Sequence, residues 1–180
     1  KIILEQRPGG TFLKELAAAK GKNFLKTPTP LWTIELTNKD HAHAPLDAAG
    51  SVPVVKETDN QVHLHFSKVP ISTTKESVDV AVYLTFNADR QIEWRISVLN
   101  VPAEWSVFRI AFPVFDLEVE ESDDYTFIVP ADRGVAYKNP LKTVPTGGII
   151  QKKKIRHRPY PGGISMQFLA LQRKDELLYF

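Results

Sequence analysis

The chain has 180 residues, 43% of them apolar and 24% charged, with a formal net charge of +2 and no cysteine. A chain of this length hides roughly 70% of its unfolded surface, enough for a real core, and its composition excludes a disordered chain. It lacks the basic bias of a nucleic-acid binder, and the missing cysteines exclude disulfide scaffolds, thiol nucleophiles and cysteine-zinc sites while leaving cytosol and periplasm both open. No apolar run approaches the roughly 18 residues that span a membrane, and "KIILEQRPGG" is too soon polar for a signal peptide.

Taken in order, the first stretch with helix-forming composition is "LKELAAAKGK", which Gly21 would end after about two turns. It reads as a turn or short helix between two early strands. "LWTIEL" fits a strand, and residues 38–60 follow as a weakly patterned connection. Period-two alternation then dominates. In "QVHLHFSKV", Val62, Leu64 and Phe66 face one way and His63 and His65 the other. "SVDVAVYLTF" and "QIEWRISVL" repeat the pattern, with Asn87 to Asp89 turning the chain into a hairpin between them. "VFRIAF", "VFDLEV", "YTFIV" and "ISMQFLAL" fit further strands, and "FLALQRKDELLYF" predicts a closing hairpin.

Turn signals such as "NVPAEW", "PADRG", "TGG" and "YPGG" separate these runs. About ten or more strands with little helix predict an all-β, antiparallel sandwich formed as a single domain over residues 1–180. A strand that finishes on Tyr179 and Phe180 without a polar tail predicts a module that runs on into a longer protein.

Chemistry-bearing residues are scattered. His63 with His65, and His41 with His43, have metal-ligand spacing, but an exposed polar ladder explains a His-x-His on a strand without a metal, so no metal is expected. "KKKIRHR" is answered by the acids of "LEVEESDD" and reads as a charged edge strand, so no nucleic-acid partner is expected. Asp132, in a turn beside Arg133, is the best isolated carboxylate, although an aspartate also bonds the backbone of its own turn. Aromatic rings in loops are more suggestive: Trp105 after "NVPAE", Tyr137 in "GVAYKNP" and Tyr160 in "RHRPYPGG". Flat rings beside polar groups such as Asp132, Arg133 and Arg158 suit a sugar, whose C–H faces are ringed by hydroxyls. The same rings would equally serve to plug the ends of a sandwich. No Ser-His-Asp context, phosphate loop or dinucleotide fingerprint appears, and no cofactor is expected.

The stretches "PLWTIEL", "EWRISVLN", "FRIAFPVFDL", "DDYTFIVPADRGVAYKNP" and "RPYPGGISMQFLAL" together resemble the N-terminal galactose-mutarotase-like super-sandwich domain of large bacterial glycoside-hydrolase-like proteins. The resemblance runs from about Leu31 to Phe180 and rests on strands and turns, not on a catalytic signature. It implies a secreted or periplasmic protein whose signal peptide has been removed and in which a downstream catalytic (β/α) barrel degrades polysaccharide. The catalytic acids would lie on that barrel, so no residue of this chain is expected to be catalytic. The sandwich would support the barrel and lend loops to carbohydrate recognition. Alternatives are a free-standing carbohydrate-binding module, or a small aldose epimerase or lyase on the same fold; the histidine pattern of an epimerase is not recognisable around His63, His65 or His157.

Overall fold

A computed structural model of the chain describes residues 1–8, 10–17, 21–88, 91–130, 134–143, 150–151, 154–155 and 170–179. The fold is all-β and antiparallel, and the chain divides into two compact units, Lys1–Leu117 and Glu118–Phe180.

Among the described residues, the first unit holds three sheets. Strands β1 (Ile2–Arg7), β2 (Gly10–Leu16) and β3 (Thr29–Pro30) form one, in that order. Strands β4 (Thr33–Asn38) and β5 (His43–Asp47) pair in a second, whose other edge is filled from further along the chain by β10 (Trp105–Ala111). The third runs β6 (Val54–Glu57), β7 (Gln61–Pro70), β8 (Ser77–Phe86) and β9 (Ile92–Leu99) as a meander. The predicted hairpin between β8 and β9 is present, closed by Asn87 N–H donating to the Gln91 carbonyl at 2.9 Å.

Alternation sorts the side chains as the sequence predicts. Leu64 and Phe66 of β7, with Val78, Val80, Val82 and Leu84 of β8, are buried, as are Ile34, Leu36, Ala44 and Leu46 of the β4–β5 pair. These apolar faces make the core of a sandwich. Trp32, fully buried just before β4, meets Phe66 edge-on with ring centroids 5.3 Å apart. Burial of rings of this size is the largest local contribution to such a core.

Three departures from the sequence reading have physical causes. The predicted short helix begins inside β2, which runs through Leu16; residues 18–20 lie outside the described residues. The apolar spacing of three between Leu13 and Leu16 suits a helix, but a β-bulge accommodates it as well. Ile3 pairs with Glu15 and Leu4 with Leu13, so Lys14 is an extra residue and both leucines remain buried. The weakly patterned 38–60 segment holds β5, a 3-10 turn at Ala48–Gly50, and β6. "VFDLEV" is not a ladder strand: Pro113 before it has no N–H, and Val114 and Asp116 instead make single bonds to Leu31 and Lys26, with one bridge between Leu117 and Leu25.

The second unit is built on the sheet β12 (Val135–Lys138), β11 (Tyr125–Val129), β15 (Ala170–Arg173) and β16 (Glu176–Tyr179). A separate two-stranded ladder pairs β13 (Ile150–Gln151) with β14 (Lys154–Ile155). The predicted closing hairpin is β15–β16, with Arg173 opposite Glu176 and Lys174 turning at φ 53°. Phe127, Leu171 and Leu178 share a face across the sheet, and Phe127 and Leu171 are buried.

Candidate functional site

Of the residues singled out for sugar binding, Trp105 and Tyr137 lie among those described; Asp132, Arg133, Arg158 and Tyr160 do not, nor does His157. Trp105 opens β10 and is only 7% exposed, and its indole Nε1 donates to Glu76 Oε2 at 3.2 Å. A ring so buried and tethered closes the end of a sheet; it offers no free platform for stacking. The turn within "NVPAE" leads into it, with Trp105 N–H donating to the Pro102 carbonyl at 2.9 Å. Tyr137 stands on β12 directly opposite Phe127, half-buried on the core-facing side of the second unit's sheet. The two rings belong to different units.

The acidic run has local duties in the second unit. Asp123 lies 3.8 Å from the Lys138 ammonium and accepts from Asn139 Nδ2, and Asp124 lies 3.5 Å from Lys174. Such exposed pairs contribute little to stability individually.

Among the described residues, His63 and His65 lie on one sheet and His43 on another. On the β6–β9 sheet, cross-strand register aligns Lys56, His63, Tyr83 and Arg95 in one row and Val54, His65, Ala81 and Ser97 in the next. His63 lies flat on Tyr83, with centroids 4.4 Å apart and planes within 4°, and His65 meets it edge-on at 6.1 Å. Burial, then the neighbouring His65 and Lys56 charges, hold the His63 imidazole below its ordinary 6.5. The ladder therefore favours neutral His63. Among the described residues, no group of three or more histidine, aspartate or glutamate side chains is placed to hold a metal ion.

On the β10–β4–β5 sheet the outer face carries a cluster that the sequence reading did not single out. Glu35 of β4 is its centre: its Oε1 lies 3.0 Å from His43 Nδ1 on β5, and its Oε2 lies 3.5 Å from Arg109 Nη2 on β10. Phe108 stands beside them, its ring 5.1 Å from that of His43 and nearly perpendicular to it, with the Arg109 guanidinium 6.0 Å from its centroid. Phe108 is 56% exposed. A carboxylate, an imidazole, a guanidinium and an open aromatic ring thus share one patch. Strict alternation would separate Phe108 from Arg109, which is why the sequence alone does not assemble this patch.

The described residues include no helix long and apolar enough to cross a membrane. Compared with family models, curated proteins and solved structures, the chain matches none of them.

Proposed function

We propose that this chain is a non-catalytic β-sandwich module of an exported, glycoside-hydrolase-like protein, where it packs against a catalytic barrel and contributes to carbohydrate recognition. The observation that carries the packing role is apolar surface left open on sheet edges. Val107 and Ile110 of β10 lie opposite Leu36 and Ile34, yet they are 40% and 41% exposed. On β16, Leu177 and Tyr179 are exposed two residues apart, on one side of the strand. Edge strands of freely soluble domains are blunted by charge or proline, and paired apolar residues there mark a surface that another protein surface covers. The resemblance to super-sandwich domains supports a catalytic barrel as that surface.

The test combines size with protection. An antibody against this chain is expected to detect a native protein several times larger than 20.3 kDa. Amides of β10 and β16 should exchange more slowly in that native protein than in the isolated chain. A native band near 20.3 kDa with unchanged exchange on both strands would refute the packing role.

A further inference from the structure

Strand β10 contains one residue more than its partner. Val107 sits opposite Leu36 and Arg109 opposite Glu35, so Phe108 between them has no partner on β4. In a regular strand, consecutive side chains point to opposite faces. Here the extra residue places both Phe108 and Arg109 on the polar outer face, and Ile110 returns to the face of Ile34. Bulges re-aim side chains in this way and recur beside functional sites. Phe108 gains little for folding from its position, because more than half of it remains exposed.

We propose that Phe108, Arg109, Glu35 and His43 form a binding subsite for one uncharged sugar ring of a glycan. The proposal rests on the carbohydrate part of the function proposed above. The C–H face of a pyranose fits the open phenyl ring. Its hydroxyls both donate and accept, and the ion-paired Glu35 and Arg109 supply acceptors and donors side by side. The charge balance selects a neutral ring. Arg109 is offset by Glu35, and a uronate would bring its own carboxylate against Glu35. That like-charge contact is unfavourable, whereas a hydroxyl is welcome at the same place.

An open subsite for a single ring binds weakly, with a Kd on the order of 1 mM. Amide chemical shifts of the labelled chain suit that range. The titrants are neutral hexasaccharides (gluco-, manno-, xylo- and galacto-configured) and oligogalacturonate. A neutral oligosaccharide should shift Glu35, His43, Phe108 and Arg109 together. Its affinity should fall at least tenfold in Phe108→Ala and in Arg109→Ala, and Phe108→Tyr should retain it. A preserved spectrum elsewhere in each variant establishes that it is folded. Binding that shifts other residues, or that survives both alanine variants, overturns the subsite and leaves the carbohydrate role standing. A preference for oligogalacturonate overturns the neutral assignment. No binding by any glycan overturns the subsite and the carbohydrate role together, whereas the packing role is decided separately by native size and exchange.

Discussion

Asp79 pins the corner where three strands of the β6–β9 sheet meet, and removing its carboxylate should measurably loosen the first unit. Phe66 pairs with Val80 and Val69 with Val78, so β7 carries an extra residue between them, and Lys68 there adopts φ 52°. The bulge keeps Phe66 and Val69 both buried despite their spacing of three. Asp79 Oδ1 accepts from the Lys68 N–H at 2.8 Å, and its Oδ2 accepts from Asn100 Nδ2 at 2.7 Å. Asn100, at φ 54°, follows the end of β9. One carboxylate therefore holds two residues in left-handed backbone. Each such bond contributes about 0.5–1.5 kcal/mol net, so Asp79→Ala should cost about 1–3 kcal/mol. With a slope of about 2 kcal/mol per molar, the urea midpoint should drop by about 1 M. All three tryptophans, Trp32, Trp94 and Trp105, lie in Lys1–Leu117, so their fluorescence reports this unit.

The pH dependence gives a second reading on the same group. The Lys68 backbone bond, then the Asn100 side chain, hold the Asp79 carboxyl below its ordinary 3.8. The folded chain therefore binds this proton less readily than the unfolded chain does. The stability it contributes is complete above about pH 4, and it is lost as pH falls through the lowered folded value. Asp79→Asn keeps the shape without the charge, so its midpoint should lie below that of the wild type at pH 7 and converge with it in acid. An Asp79→Ala midpoint equal to that of the wild type at pH 7 would refute the pin. A gap between wild type and Asp79→Asn that stays constant down to pH 3 would refute the electrostatic account.

Two further perturbations probe the first unit. Gly10 has φ 115°, and a Cβ there would meet the backbone carbonyls of Ala48 and Ala49, so Gly10→Ala combines left-handed strain with a clash against main chain. It should destabilise the unit by about 2 kcal/mol or more, and an unchanged fluorescence midpoint would show that β2 does not press on the Ala48–Gly50 turn. His63 resists protonation because of burial, His65 and Lys56, so the unfolded chain takes up this proton first and stability should fall as pH drops below 6.5. Lys56→Met should raise the His63 titration midpoint in proton NMR, and a midpoint that does not move would remove Lys56 from the account.

Much of the β architecture is legible in the sequence because alternation is a local property. A strand that is half-buried needs every second residue apolar, and Val62 to Phe66, Val78 to Leu84 and Ile92 to Val98 declare their faces without reference to any neighbour. Turn residues likewise announce the β8–β9 and β15–β16 hairpins, since their pairing is between segments adjacent in sequence. The site is less legible. Trp105 and Tyr137 stand in turn-rich sequence, and only the packing decides that the first is buried against Glu76 and the second faces Phe127.

Where alternation breaks, one dimension is silent. Helix-forming composition reads as a turn or short helix from Leu13, and nothing in "SVFRIA" says that Phe108 and Arg109 share a face. Each is decided by the partner strand, which runs one residue short and leaves the extra one to be absorbed as a bulge. The same holds for the Glu35, His43, Phe108 and Arg109 patch, whose members come from three strands up to 74 residues apart (109 − 35). The sequence by itself therefore determined the strands whose alternation is unbroken and which of their residues are buried, but it left β5 and β6 unread and took "VFDLEV" for a strand. Tertiary pairing decided register, and through register which polar and aromatic side chains meet, because a shift of a single residue reverses the face on which every following side chain lies.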